Sequence, residues 1–208
     1  LNQFRSIPEF RKLTNIVYMG MGEPLDNLDE VIKSLEILTG LWGYGWSPTR
    51  ITVSTIGLKN QVREFLERSR CHLAVSLHSP FDEERSRLMP IQKTNNIREI
   101  LEIIRTADLN SQRRISFEYI LFKGINDTPQ HVQELARLLN GIKCRINIIR
   151  FHTIPGSEFT SPSLQEAEGF RDILNKKGIL ATVRRSRGED IGAACGLLST
   201  RAMNKQAE

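Results

Sequence analysis

The segment from Met19 to Pro24 holds the first residues whose types suggest chemistry. It reads Met-Gly-Met-Gly-Glu-Pro, and its two glycines let a ligand approach the backbone closely because no side chain stands in the way. The carboxylate of Glu23 can accept hydrogen bonds from an ammonium group. The third glycine of a dinucleotide-binding fingerprint would fall at Leu25, which argues against a Rossmann site. The segment favours an amino-acid-like ligand, although an isolated Gly-Glu-Pro turn is more often structural.

Cys195 is the second candidate, as a nucleophile. Three arginines lie upstream of it: Arg184, Arg185 and Arg187. Neighbouring cations lower the pKa of a thiol and favour the reactive thiolate, whereas Glu189 and Asp190 act in the opposite direction. Within its Ala-Ala-Cys context a buried, inert cysteine is the commoner outcome. The local sequence leaves both interpretations open, and the arginines can equally form a solvated cluster or bind phosphate.

Cys71 and Cys144 are the other two cysteines of the chain. Three cysteines at wide spacing make a poor disulfide framework, which favours a reducing compartment. Cys71 and Cys144 are therefore interpreted as small buried hydrophobic residues.

Short apolar runs along the chain predict five buried strands. They are Asn15–Met19, Ile51–Ser54, His72–Leu77, Ile115–Leu121 and Arg145–Ile149. Apolar residues at helical spacing lie between them, in residues 28–38, 97–104 and 132–139. Alternating strands and helices imply parallel pairing with right-handed crossovers. An α/β sheet curled toward a barrel is therefore predicted, with a doubly wound sheet as the alternative.

The two ends of the chain extend this pattern. Residues 4–13 resemble the end of a helix that crosses onto the first strand, so a further strand is expected upstream. After the fifth strand, residues 163–177 predict a helix and residues 180–184 an extended stretch. We divide the chain into a barrel portion, residues 1–160, and a carboxy-terminal extension, residues 161–208, that carries Cys195.

Polar residues cluster where the predicted strands finish. They are Gly22 and Glu23, Ser54, Ser76 and His78, and His152. In a parallel barrel these strand ends share one rim, which is the usual place for a ligand. The alternative is that strand ends are simply solvated.

In order along the chain, several segments resemble the RlmN family of radical S-adenosylmethionine (SAM) adenine methyltransferases. Besides Met19–Leu25, they are Ile51–Gly57, Leu73–His78, Arg87–Ile91, Phe117–Tyr119, Gly124–Asp127, and Arg184–Ile191 followed by Ala193–Gly196. The resemblance runs from about Asn15 to Leu198. It implies an α/β fold, a partial (β/α)6 TIM-like radical SAM barrel that here lacks its first strand.

The resemblance also implies the cofactors. SAM would contact a set of residues on the rim: Gly22, Glu23, Ser54, Ser76, Leu77, His78 and His152. His152 stands where the family usually has an asparagine. A [4Fe–4S] cluster is held in the family by a Cys-x3-Cys-x2-Cys triplet after the first strand. This chain has no such triplet, so no metal ligand is predicted within it.

Cys195 takes the role of methyl carrier in the resemblance. In the family a thiolate first accepts a methyl group from one SAM. A second SAM is then cleaved reductively at the cluster, its 5′-deoxyadenosyl radical removes a hydrogen from that methyl group, and the resulting carbon radical adds to carbon 2 of adenine. Another cysteine, near the cluster triplet, releases the product by forming a disulfide with the carrier. Without that partner and the triplet, the isolated chain is expected to be inactive.

The resemblance implies large-subunit ribosomal RNA and transfer RNA as partners, together with an electron donor for the cluster. Arg184, Arg185 and Arg187 would then bind RNA phosphates. Two alternatives remain, a Cfr-type enzyme that methylates carbon 8 and a non-catalytic RNA-binding fragment. Pro24 and the Arg-Ser-Arg-Gly run at residues 185–188 favour the carbon-2 enzyme.

The composition and net charge of the chain are compatible with an RNA-binding enzyme but do not by themselves indicate one. The 208 residues have 39% hydrophobic and 25% charged content and a formal net charge of +5, which suits a polyanionic partner but is common among other enzymes. No stretch approaches the apolar length of about 20 residues that a membrane span needs, and no signal-peptide pattern begins the sequence. We expect a cytoplasmic protein with no membrane partner. The first strand should have an unpaired edge through which the chain can self-associate.

Overall fold

The computed structural model describes residue 6 and residues 13–20, 22–109, 113–152 and 157–184. Six strands in these ranges form one sheet, in the same order in space as in the sequence. They are β1 Ile16–Tyr18, β2 Ile51–Thr55, β3 His72–Ser76, β4 Ile115–Leu121, β5 Cys144–Arg150 and β6 Leu180–Val183. Every neighbouring pair is parallel. The predicted α/β class is confirmed.

Six α-helices connect the strands in the described ranges. They are α1 Leu28–Thr39, α2 Lys59–Arg68, α3 Asp82–Leu88, α4 Ile97–Thr106, α5 Pro129–Leu138 and α6 Leu164–Lys176. One α-helix lies in each crossover except the one between β3 and β4, which contains both α3 and α4. A doubly wound sheet reverses its strand order near the middle. The sequential order found here is that of a barrel wall, so the doubly wound alternative is wrong.

The stretch at residues 180–184, which sequence analysis left outside the barrel, contains a sixth strand of the sheet. β6 pairs with β5 in parallel, with Ala181 opposite Ile146. Helix α6, which leads into it, begins with a capping box: Ser163 Oγ accepts from the Glu166 N–H, and Glu166 Oε2 accepts from the Ser163 N–H. Such reciprocal bonds satisfy two amide groups that a helix start leaves unpaired. Residues 164–183 thus continue the sheet, while the division at residue 160 stays a prediction.

The two faces of the sheet differ in chemistry because side chains alternate along a strand. Val53, Val75, Phe117 and Ile146 are fully buried and pack against the helices. Each such side chain contributes about 1.5–3 kcal/mol relative to an exposed one. The register also aligns a row of polar residues across four strands: Ser76, Glu118, Asn147 and Thr182. This polar row lies on the face away from the helices.

The sheet curls, so that the residue after β6 comes into contact with the residue after β1. Arg184 follows β6, and its Nη1 lies 3.9 Å from the sulfur of Met19, which follows β1. Hydrogen-bonded strand pairing between β1 and β6 does not occur in the described ranges. The architecture is a partial barrel whose open seam is bridged by a side-chain contact. Across these same residues, the longest apolar helical stretch falls short of a membrane span.

Candidate functional site

Glu23 occupies a fixed position at the end of β1. Its Oε1 accepts from the Leu25 N–H at 3.0 Å, which caps a short 3-10 turn, and its Oε2 accepts from the Ile56 N–H at 2.7 Å. Each carboxylate oxygen has two lone pairs, so acceptor capacity remains for a ligand ammonium. Gly22, before it, is exposed and adopts φ +73°, with no atom within 4 Å of where a Cβ would stand. The pair therefore fits the amino-acid part of SAM.

Ser54 holds the first two strands together at the same end. Its Oγ donates to the Tyr18 carbonyl at 2.8 Å, and its side chain is partly exposed. The contact between Ser54 and a cofactor stays a prediction. The structure places Ser54 one strand away from the Glu23 loop, on the predicted rim.

Arg85, which sequence analysis missed, joins the ends of β2 and β3. The residue is 0% exposed. Its Nη2 donates to the carbonyls of Ile56 (3.2 Å) and Ser76 (2.9 Å), and its Nε donates to the Leu77 carbonyl (3.1 Å). Burial lowers the pKa of Arg85 to about 10, and the nearby Asp82 opposes that shift. A planar guanidinium with five donors can satisfy several carbonyls at once, so Arg85 fixes two loops of the rim.

His78 is held in an unusual conformation. It is not a glycine, yet its φ is +56°, a region that few residues enter without support from their surroundings. Its Nδ1 accepts from the Ile120 N–H at 3.0 Å, which places the proton of the neutral ring on Nε2. Burial, and secondarily the Arg85 charge, lowers the pKa of His78 to about 3. His78 is therefore neutral at physiological pH.

Asn126 provides that support from the loop after β4. The residue is 0% exposed, and its Nδ2 donates to the carbonyls of His78 and Ile120, both at 2.7 Å. Its Oδ1 accepts from the Phe122 N–H at 2.7 Å. Asn126 belongs to the Gly-Ile-Asn-Asp motif noted in the sequence, but its role there was not predicted. It ties the loops after β3 and β4 together.

The remaining predicted residues of this segment differ in accessibility. Ser76 is partly exposed and lies in the polar row. Leu77 is 0% exposed, its N–H donates to the Glu118 carbonyl, and its own carbonyl accepts from Arg85. The side chain of Leu77 thus faces the protein core.

Glu118 forms a buried polar centre in the middle of the row. It is 6% exposed; its Oε1 accepts from Asn147 Nδ2 at 2.7 Å, and its Oε2 faces Arg184 Nη1 at 3.3 Å. Thr182 Oγ1 donates to Asn147 Oδ1 at 3.2 Å, extending the network to β6. Sequence analysis quoted Glu118 as part of a motif but assigned it no role. The sequence did contain a signal for such a role, because Glu118 is a charged residue between the apolar Phe117 and Tyr119 of a predicted strand.

The other predicted site residues are only partly covered. His152 is partly exposed and follows β5, as predicted. Arg184 lies directly after β6, where its N–H donates to the Ile148 carbonyl and its side chain pairs with Glu118. Arg185, Arg187 and Cys195 lie outside the described residues.

The described cysteines do not fit an iron–sulfur cluster. Cys71 and Cys144 are free thiols, so they give no support to a disulfide. Burial raises the pKa of both, that of Cys144 to about 11, which disfavours the thiolate that iron requires. In the described ranges, no group of three or more His, Cys, Asp or Glu side chains is placed to hold a metal ion. Cys71 and Cys144 therefore cannot serve as ligands of a [4Fe–4S] cluster.

Comparisons with known proteins agree with this geometry. The chain is 58% identical over 200 residues to the "Probable dual-specificity RNA methyltransferase RlmN" of Parabacteroides distasonis, covering 96% of this chain and 58% of that protein. It is 48% identical over 198 residues to the "Dual-specificity RNA methyltransferase RlmN" of Campylobacter jejuni, covering 95% and 55%. The chain thus spans somewhat more than half the length of these relatives.

Solved structures share the fold. A radical SAM methyltransferase from Sphaerobacter thermophilus superposes with a TM-score of 0.84 at 43% identity, over 90% of this chain and 55% of that one. A domain of the pyruvate-formate lyase-activating enzyme from Bacteroides vulgatus superposes with a TM-score of 0.63 at 20% identity, over 83% and 100%, which shows the fold alone. Residues 1–139 match the sequence model of the radical SAM superfamily. With its parallel partial barrel and rim, the chain belongs to the radical SAM superfamily.

Proposed function

We propose that the chain is part of an RNA methyltransferase that methylates carbon 2 of an adenine in large-subunit ribosomal RNA and in transfer RNA. One observation carries the proposal: the motifs shared with the RlmN family coincide with the residues that hydrogen bonds link into one rim, including Glu23, Ser54 and the Ser76–His78 segment. The 58% identity to a named RlmN protein supports the same enzyme class.

The rim residues would bind and orient SAM. Glu23 would accept from the ammonium group of its methionine part, and the open backbone at Gly22 would let that part approach. Ser54, Ser76 and neutral His78 offer further donors and acceptors around it. Bound SAM would supply the methyl group and the radical chemistry.

Cys195 would carry the methyl group, and the arginines before it would hold RNA phosphates. The Arg184 side chain is 47% exposed and uses Nη1 on Glu118, which leaves further guanidinium donors for a phosphate. Such contacts position RNA without reading its sequence. The target base would be unstacked and drawn to the rim.

Nucleoside mass spectrometry tests the assignment. A longer form of the protein, with its cluster reconstituted, should convert adenine to the carbon-2 methyl product in both RNAs, and its Cys195→Ala variant should not. The Cys71→Ala variant is the matched control, because Cys71 has a raised thiol pKa and is buried in the core. A carbon-8 product, or an undiminished carbon-2 product from the Cys195 variant, would refute the assignment.

The 208-residue chain alone should show no turnover even with an added electron donor, because its cysteines are widely spaced and two of them are poor thiolates. Methylation by the purified chain under reducing conditions would contradict this. A cytoplasmic location is proposed on the same cysteine usage.

Self-association through β1 is a further part of the proposal. β1 is an edge of the described sheet, and its Val17 side chain is 57% exposed. Unpaired strand edges pair readily with another chain. Light scattering at high concentration should detect dimers, and a purely monomeric chain would count against the edge contact.

A further inference from the structure

A basic cavity of about 590 Å³ lies at the end of the sheet opposite to the rim. Four cationic residues line it: Arg113, Arg114, Lys143 and Arg145. No acidic residue is found among its described lining residues. The cavity also includes Ile115, Cys144 and Leu180, which begin β4, β5 and β6. Since β4 has seven residues that rise about 3.3 Å each, the cavity and the rim are separated by about 20 Å.

The cations of this cavity fall into two groups. Arg113 turns inward, where Nε donates to the Cys71 carbonyl at 3.0 Å and Nη1 to the Leu66 carbonyl at 2.8 Å. Arg114 and Lys143 are exposed and Arg145 is partly exposed. In the described part of the chain none of these three forms an ion pair with a carboxylate. Three positive charges are therefore available to an external anion.

His72 lies close enough to these cations for their charges to affect its pKa. Its Nδ1 accepts from the Arg114 N–H at 3.0 Å. Burial lowers the pKa of His72, and the charges of Arg114, Arg145 and Arg113 lower it further, against a hydrogen bond with the Thr49 backbone. Like charges that oppose protonation of a neighbour also attract an anion to the same place.

An apolar turn lies in the connection between α1 and β2, which also places Thr49 in the lining of the cavity. Leu41 is 99% exposed and Trp42 is 75% exposed. The turn is held by hydrogen bonds from the Tyr44 N–H to the Ile37 carbonyl (3.0 Å) and from the Trp46 N–H to the Leu38 carbonyl (2.8 Å). An exposed aromatic ring offers a surface on which an unpaired base can stack. A basic cavity and an exposed aromatic ring at the same end of the sheet favour RNA over an acidic protein.

We propose that the basic cavity binds phosphates of the RNA backbone, as a second contact away from the methylated base. The inference rests on the proposed function for the identity of the RNA. Phosphate contacts of this kind fix the register of a large substrate without specifying its sequence. One substrate RNA would then span both ends of the barrel.

Binding of RNA by a triple variant tests the cavity. In the full-length protein, Arg114→Gln/Lys143→Gln/Arg145→Gln should weaken binding of an unmodified transfer RNA transcript by at least about tenfold at 0.15 M salt, and should reduce the slope of log affinity against log salt by about 2 to 3. The control Arg63→Gln/Lys93→Gln/Lys177→Gln removes the same charge from exposed positions elsewhere and should change affinity less than about threefold. Fluorescence anisotropy over a salt series measures both.

Two further experiments distinguish binding of RNA phosphates from binding of a free polyphosphate. Lys143 is exposed and directly precedes β5, so Lys143→Gln alone should not disturb folding and should reduce the salt slope by about 1. Inorganic tripolyphosphate should bind weakly and should compete with RNA. Equal losses in the triple variant and its control, or tight tripolyphosphate binding with unchanged RNA affinity, would overturn the proposal. The methylated product from saturating RNA should remain carbon-2 methyladenine in every variant, so its identity tests the proposed function separately.

Discussion

Two buried arginines at opposite ends of the barrel use the same chemistry for different purposes. Arg85 is 0% exposed and Arg113 is 8% exposed. Both direct their guanidinium donors at backbone carbonyls, and burial lowers the pKa of each to about 10. A buried charge is costly unless its hydrogen bonds are satisfied. Carbonyl groups supply that compensation at both places.

The difference lies in which carbonyls are bonded. Arg85 bonds Ile56, Ser76 and Leu77, which belong to the loops that form the rim. The acceptors of Arg113 include Leu66, Ser69 and Cys71, at the end of α2 and the approach to β3. Arg85 should therefore matter for both stability and cofactor binding, and Arg113 for stability alone.

The largest effect is expected for Arg85→Lys. A lysine ammonium cannot reproduce the planar fork, so several carbonyls lose their donor, at a cost of about 3–5 kcal/mol in unfolding free energy. SAM affinity of the reconstituted protein should also fall by at least about tenfold, equivalent to about 1.4 kcal/mol. Urea denaturation measures the unfolding free energy, and calorimetric titration measures the SAM affinity. Arg87→Lys, on the same helix and exposed, is the control; indistinguishable behaviour of the two variants would refute the role of Arg85.

Arg113→Lys should cost about 2–4 kcal/mol of unfolding free energy for the same reason. Its SAM affinity, measured at a temperature where the variant is folded, should stay within about threefold of the parent, a difference below about 0.7 kcal/mol. A loss of SAM affinity as large as that of Arg85→Lys would contradict the claim that only Arg85 supports cofactor binding.

Asn126→Asp should have an intermediate effect. Replacing the amide by a carboxylate removes the two donors that hold the carbonyls of His78 and Ile120, at a cost of about 1–3 kcal/mol. The exposed Asn140→Asp is the matched control. If the two variants have equal unfolding free energies, the loop after β4 does not support the rim.

The smallest effect concerns pH. The folded pKa of His78 is about 3, whereas an unfolded histidine titrates near 6.5. Between these values the unfolded chain binds a proton that the folded chain does not, so stability falls as the pH is lowered from about 6.5 toward 3. His78→Asn, whose side chain tolerates positive φ, should reduce the loss between pH 6.5 and 5.5 by about 1 kcal/mol. Parallel stability curves for the two proteins would contradict the assignment.

The rim itself was within reach of sequence analysis. Short apolar runs predicted five strands, and parallel pairing brings their polar ends together whatever their separation along the chain. Glu23, Ser54, Ser76 and His78 were placed on this basis. By contrast, Arg85 lies on a short helix among acidic residues, and its sequence neighbours give no sign that it is buried.

Local sequence determined the strands, the helices and the residue types at each polar strand end, because alternation and helical spacing are properties of neighbouring residues. Only the tertiary structure decided which carbonyls Arg85 reaches, that Asn126 holds His78, and that β6 continues the sheet beyond residue 160. These contacts join residues up to 48 positions apart. They depend on the register and curvature of the whole sheet, which no short segment encodes.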